Sequence, residues 1–420
     1  MNLKKSIIIK FKHIYMFWSV GIYEIKMLSE EYVISIIVNP SFKKDKNFLK
    51  YIFENKHIKF FFVSDIKKHS ILSHYNYKIT ISKILEEVRP VILIQNDYIE
   101  LENMYIFSLA EHLNNDIKKI VLSMSQASTE KTFSLIDRDR LRKLQKFLKF
   151  YKISVLLLLI IKAIKFITSS IDNFIIPKLV GIKEPYLNQS AYNNIDIIPS
   201  FIPFDYFFSY EDKDNEYMKK LFDGKNNNCN AFHGFHKICS VNLDEFMGKI
   251  KTNEKSLLYL PSVIGCREMN NKEKILIVRW IDLIESLSSY ENIKNIGVKF
   301  HPSILNLGNN FEVIRSIMKK RLPNATFYDP GKNATELIAG YSHILSDFSS
   351  VLLQAKGFEN KVLISKDYDD FPNSDGMKAY DQINYLGPDL PDSEIKNIIF
   401  KKTKKELVIN SLKDKLNELC

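Results

Sequence analysis

Residues 32–39 read YVISIIVN, a run apolar except for Ser35 that stops at Asn39-Pro40. A strand wet on one face alternates apolar with polar residues. A run apolar at successive positions belongs instead to a strand covered on both faces. Working outward, 48–54 has helical spacing and 58–63 (IKFFFV) is a second strand. Residues 81–88 form a helix stopped by Pro90, 91–95 (VILIQ) a third strand, 104–113 a helix, and 119–123 (KIVLS) a fourth strand. Short buried strands alternating with helices predict a parallel, doubly wound sheet.

The same alternation returns past Asp244. Strands are expected at 256–260 (SLLYL), 295–300 (NIGVKF), 326–328, 343–345 and 361–364 (KVLI), with helices at 274–287, 310–319, 335–340 and 350–356 between them. The fold class expected is therefore α/β, with two Rossmann-like domains facing a cleft and ligands at the carboxyl ends of the strands. The boundaries read as 1–245 for the first domain, with a helical insertion at 138–176, and 246–395 for the second. A terminal segment, 396–420, ends in a helix placed to cross back onto the first domain.

Length and composition agree with this. The 420 residues suffice for two domains, and 45% hydrophobic with 26% charged residues describes a chain with a large core rather than a disordered one. Four cysteines cannot staple a chain this long, which points to a reducing compartment. The 60 basic residues exceed the 49 acidic ones by 11, and 131–168 alone carries ten basic residues against two acidic. The imbalance is thus a local patch.

Within that patch Arg140, Arg142, Lys143, Lys146, Lys149 and Lys152 interleave with Leu141, Leu144, Phe147, Leu148 and Phe150, and the apolar run 153–161 follows. A basic face beside an apolar one suits a helix lying in an anionic membrane surface. The competing reading is a helical hairpin packed on the protein's own core. The run is shorter than the roughly 20 residues a spanning helix needs. No secretory signal is expected at the N-terminus, whose apolar stretch is broken by Lys10, Lys12 and His13. The expectation is a cytoplasmic protein, peripheral at the inner face of the membrane, with no nucleic-acid partner because no binding motif accompanies the charge.

Two features carry candidate chemistry. His301-Pro302 follows the strand NIGVKF, which places an imidazole at the sheet's carboxyl edge with a proline fixing the turn. There His301 is placed to donate a hydrogen bond or a full charge to a departing phosphate. Ser346-Asp347-Phe348-Ser349-Ser350 lies between the strand HILS and the helix SVLLQAKG, so hydroxyls sit beside free backbone N–H groups. Taken singly, a His-Pro is a turn and a Ser-Ser a helix cap. Together they outline a phosphate site.

This pair of motifs resembles the nucleotide-binding half of the GT-B glycosyltransferases, in particular bacterial sialyltransferases, polysialyltransferases and CDP-glycerol glycerophosphotransferases. The resemblance covers about 256–364. It implies that His301, Ser349 and Ser350 bind the donor phosphate, with Ser346 alongside and His301 assisting departure. The stretch 120–133 resembles more weakly a loop that reads Gln-His-Ala-Ser in surface-polysaccharide transferases. Here Gln126 stands where the His is common, with Ser128 beside it, and an amide cannot take a proton.

A base for the acceptor hydroxyl is sought among carboxylates at strand ends. Asp97, after VILIQN, is the first choice, with helix capping as its competing role, and Asp65 is the second. Glu336, at the start of a short helix, either hydrogen-bonds the nucleotide or caps that helix. Cys229, His233, His236 and Cys239 have ligand chemistry suited to zinc, but a strand–Gly–strand reading sends the two histidines to opposite faces. No metal and no bound cofactor is expected. The co-substrate implied is a nucleotide sugar, first a CMP-linked acidic sugar such as sialic acid, given to a glycan or lipid-linked acceptor. Alternatives are CDP-polyol phosphate transfer, a UDP- or GDP-sugar donor, and a non-catalytic membrane-associated scaffold.

Overall fold

The computed structural model describes residues 4–96, 101–113, 116–122, 171, 175–182, 201–202, 204–209, 215–216, 219, 226–227, 234–237, 246, 250–261, 271–301, 309–346, 350–366, 382–387, 392–404 and 412–419. These fall into two units. One holds the described residues up to 122, those from 171 to 237 and the last helix, and the other holds those from 246 to 404.

In the first unit, in chain order, lie β1 (Ser6–Phe11), α1 (Ile22–Leu28), β2 (Val33–Val38), α2 (Lys46–Glu54) and β3 (Lys59–Phe62). They are followed by α3 (Ile71–Val88), β4 (Ile92–Gln95), α4 (Leu101–Leu113), β5 (Lys118–Leu122), β6 (Tyr206–Ser209) and β7 (Gly234–Lys237). The sheet runs β3-β2-β1-β4-β5-β6-β7 with every pair parallel. The order reverses between β1 and β4, as in doubly wound folds.

The strand at that reversal is the one the pattern reading missed. SIIIKF at Ser6–Phe11 is central to the sheet, and Ile7, Ile8 and Ile9 are wholly buried. Lys10 does not interrupt it, because its ammonium donates to Asn103 Oδ1 on α4 and is thereby sheltered. β6 adds to the four strands expected, β7 falls within the strand–Gly–strand reading of 230–238, and α3 starts ten residues before its expected first residue. Its start is a cap: the Ser70 hydroxyl accepts from the Ser73 N–H at 3.2 Å. Its end is Arg89 in the left-handed region (φ 47°), just before Pro90.

The second unit comprises β8 (Asn253–Tyr259), α5 (Asn271–Tyr290), β9 (Asn295–Val298), α6 (Asn309–Arg321) and β10 (Thr326–Phe327). α7 (Ala334–Gly340), β11 (Tyr341–Ser346), α8 (Ser350–Ala355), β12 (Val362–Lys366) and β13 (Asn384–Leu386) complete it. Its sheet runs β10-β9-β8-β11-β12-β13, again parallel throughout. The α/β expectation of two doubly wound sheets therefore holds; six strands follow the same order in each, and the first sheet adds β7 at its edge. Trp280, Ile281 and Ile284 of α5 pack against Tyr259, Val298 and Leu345 on one face of the sheet, and Ile338 and Leu352 cover Ile344 and Leu363 on the other.

At the amino edge of this sheet the buried Lys361 donates to Thr252 Oγ1 and to the carbonyls of Ala339 and Tyr341, at 2.7–2.8 Å. One ammonium thus closes three strand and helix ends.

The last helix, α9 (Leu412–Leu419), returns to the first unit. Tyr32 Oη donates to Asn417 Oδ1 at 2.5 Å, and Lys413 pairs with Glu30 and Glu31 at 2.8 and 2.9 Å. Of the insertion expected at 138–176, only Ile171, Ile175 and Ile176 fall within the described residues. Among the described residues no helix is long and apolar enough to cross a membrane.

Candidate functional site at the carboxyl edge of the second sheet

β9 ends at Val298 and continues through Lys299 and Phe300 to His301, while β11 ends at Ser346 and the chain re-enters a helix at Ser350. These two strands flank β8, and the order of the sheet reverses between β8 and β11. Ordinary strand spacing puts the lines of β9 and β11 about 10 Å apart. Both motifs singled out in the sequence thus lie on one edge, either side of the crevice a parallel sheet opens at such a reversal.

The residues differ in what they present. His301 is exposed at the edge. Partial desolvation of its ring, and then the Lys299 charge, hold the imidazole below its ordinary pKa. At neutral pH it is therefore uncharged, and the full charge expected of it is not its own. A fixed cation beside it at this edge is Lys299, which the sequence reading missed. It is 6% exposed, and burial pulls its ammonium down to about 8 while Asp329 pushes the other way. The signal was present in NIGVKF, where a lysine interrupts a buried run two residues ahead of the histidine.

Ser346 corrects another expectation. It is fully buried, and its hydroxyl donates to the carbonyl of Leu260 at the end of β8. It fastens the two strand ends at the crevice floor instead of offering a surface donor. Ser350 opens α8, and Ser349 lies outside the described residues.

Glu336 occupies the first turn of α7, but the cap is Asn333, whose side chain accepts the Glu336 N–H at 3.1 Å. The Glu336 carboxylate pairs with Lys332 at 3.4 Å on the surface. Of the residues assigned to the first unit, Asp97, Gln126 and Ser128 lie outside the described residues, as do Cys229, His233 and Cys239. His236 sits in β7 in register with Phe208. Among the described residues no group of three or more His, Cys, Asp or Glu is placed to hold a metal.

No family model matches the sequence, and no curated protein does either. Solved structures do. The chain is similar to the UDP-GlcNAc 2-epimerase of Methanocaldococcus jannaschii, at 12% identity and a TM-score of 0.53, over 99% of this chain and 98% of that one. It is also similar to the UDP-GlcNAc 2-epimerase of Neisseria meningitidis bound to UDP-GlcNAc, at 12% identity and a TM-score of 0.51, over 93% and 89%. At that identity the likeness establishes architecture: two sheets of the Rossmann order in one chain, the GT-B fold.

Proposed function

We propose that the chain is a nucleotide-sugar-dependent glycosyltransferase that builds a bacterial surface glycan. The observation that carries this is the joint placement of His301, Lys299 and the start of α8 on the edge flanking the β8/β11 reversal. A departing nucleotide phosphate needs fixed charge and hydrogen-bond donors that are already oriented before it leaves. Lys299 would supply the charge, neutral His301 an N–H, and Ser349 with Ser350 the remaining donors. The acceptor would bind the first unit, with Asp97 the carboxylate assigned to take its proton.

The donor of first choice from the motif resemblance is a CMP-linked acidic sugar. A UDP-linked sugar competes with it, because the neighbour from Neisseria meningitidis holds UDP-GlcNAc. A thermal-shift panel of CMP, CDP, UDP and GDP separates these, since a ligand that binds only the folded state raises the melting temperature. A shift with one nucleotide that is lost in His301→Ala supports the site. No shift with any of the four rejects it.

The shared architecture also favours a second reading, rearrangement of the nucleotide sugar itself. Conversion of UDP-GlcNAc with no acceptor present would select it over transfer.

We further place the protein at an anionic membrane surface on the cytoplasmic side. Besides the basic and apolar segment 138–176, support comes from α3 and the helical turn Ile176–Leu179 that packs on it. Ile71, Leu72 and Tyr75 are exposed, as is Leu179. Lys78 bonds the Val180 carbonyl at 2.7 Å, tying the two elements together. Lys67, Lys68 and Lys178 stand nearby in sequence. Apolar side chains rimmed by lysines match a bilayer rich in acidic lipid. Flotation with acidic and neutral vesicles tests this, and equal recovery with both would reject it.

A further inference from the structure

The first sheet has its own reversal, between β1 and β4. Lys10 and Gln95 face each other across that pair in register, one residue from the end of β1 and at the end of β4. Asn103 on α4 links them. It receives the Lys10 ammonium on Oδ1, and its backbone carbonyl accepts Gln95 Nε2 at 3.1 Å.

What this leaves over is unusual. Gln95 is wholly buried, yet its Oε1 has no hydrogen-bond partner among the described residues. At Asn96, the next residue, both the amide nitrogen and the amide oxygen are sealed from solvent and have no partner among the described residues.

Buried polar atoms without partners are few in folded proteins because each has given up its hydrogen bonds to water with nothing in return. Three together at the carboxyl end of a sheet reversal, where parallel sheets open their ligand crevice, fit a site whose missing partners arrive with a ligand. The chemistry of the three atoms selects the ligand. Two are acceptors and one is a donor, so a phosphate or carboxylate would meet two carbonyl-type oxygens and be repelled. A hydroxyl donates and accepts at once, as an amide does, and adjacent hydroxyls on a ring present that pairing repeatedly.

We propose that Gln95, held by Asn103, and the adjacent Asn96 form a subsite in the first unit that reads the ring hydroxyls of a neutral sugar, the end residue of the acceptor. The proposal rests on the glycosyltransferase reading only for naming that sugar as the acceptor.

Saturation-transfer NMR on the full chain, with the methyl pyranosides of glucose, galactose, mannose and N-acetylglucosamine, tests it. Transfer to at least one glycoside is expected with the wild type. It should fall at least tenfold in Asn96→Leu, and also in Asn96→Asp, which keeps the shape and removes the donor. Because Asn96→Leu breaks no hydrogen bond, its melting temperature should rise even as binding is lost. Three results would overturn the subsite: no transfer to any glycoside in the wild type, equal transfer in wild type and variants, or a lower melting temperature in Asn96→Leu with binding retained. Nucleotide-induced stabilisation, measured in parallel, reports on the second unit alone. Its absence would reject the transferase reading while leaving the sugar signal standing.

Discussion

The Ser346 hydroxyl donates to the Leu260 carbonyl, joining the last residue of β11 to the residue that follows β8. These are the two strands between which the second sheet reverses its order, so a single buried hydrogen bond sets the floor of the crevice. In Ser346→Ala the Leu260 carbonyl loses that donor in a dry environment, and unfolding free energy should fall by about 1–3 kcal/mol. Denaturant titration reads the loss. Nucleotide-induced stabilisation should persist, because the hydroxyl serves the sheet; its disappearance in a folded variant would restore Ser346 to the ligand.

Gly297 in β9 leaves room for a pair of tyrosines. A Cβ there would lie 2.4 Å from Tyr341 Oη and 2.7 Å from Tyr341 Cζ. That hydroxyl meets Tyr328 Oη at 2.8 Å. Gly297→Ala should therefore cost about 1–3 kcal/mol through overpacking. Adding Tyr341→Phe removes the closer clash and should recover part of the loss, whereas equal destabilisation in single and double variants would place the strain elsewhere.

Lys299 depresses the His301 pKa, second to desolvation of the ring. Replacing the cation by Met removes the repulsion that disfavours a charged imidazole, so the His301 titration should move to higher pH in Lys299→Met. The His301 ring protons followed by NMR from pH 5 to 8 report it. An unchanged midpoint would mean the two groups do not sense each other.

Glu24 on α1 is wholly buried with neither carboxylate oxygen hydrogen-bonded among the described residues, and burial pushes its pKa up to about 8. The folded state thus holds a proton that the unfolded chain releases near its ordinary value. Between about pH 4.5 and 8 folding binds more protons than unfolding, so the stability associated with this group is complete at the acid end and is lost as pH rises. Glu24→Gln keeps the shape without the charge. Its melting temperature should exceed that of the wild type at pH 8, and the gap should close at pH 5. A gap independent of pH would assign Glu24 a partner.

Much of this was legible in the chain itself. Runs such as YVISIIVN and SLLYL are apolar at most successive positions, so their near-continuity pointed to strands covered on both faces between helices. For the same reason the His-Pro and Ser-Ser motifs could be assigned to strand ends. Three-dimensional placement decided the rest. SIIIKF reads along the chain only as an apolar stretch broken by Lys10, and the Asn103 acceptor on a helix far along the chain shelters that lysine at the sheet centre. Ser346 and Ser350 are chemically alike along the chain, yet the neighbouring strand claims the first hydroxyl. Lys299 and His301 differ in charge state at neutral pH through burial and mutual repulsion, quantities that depend on what surrounds a side chain and that no local pattern of residues encodes.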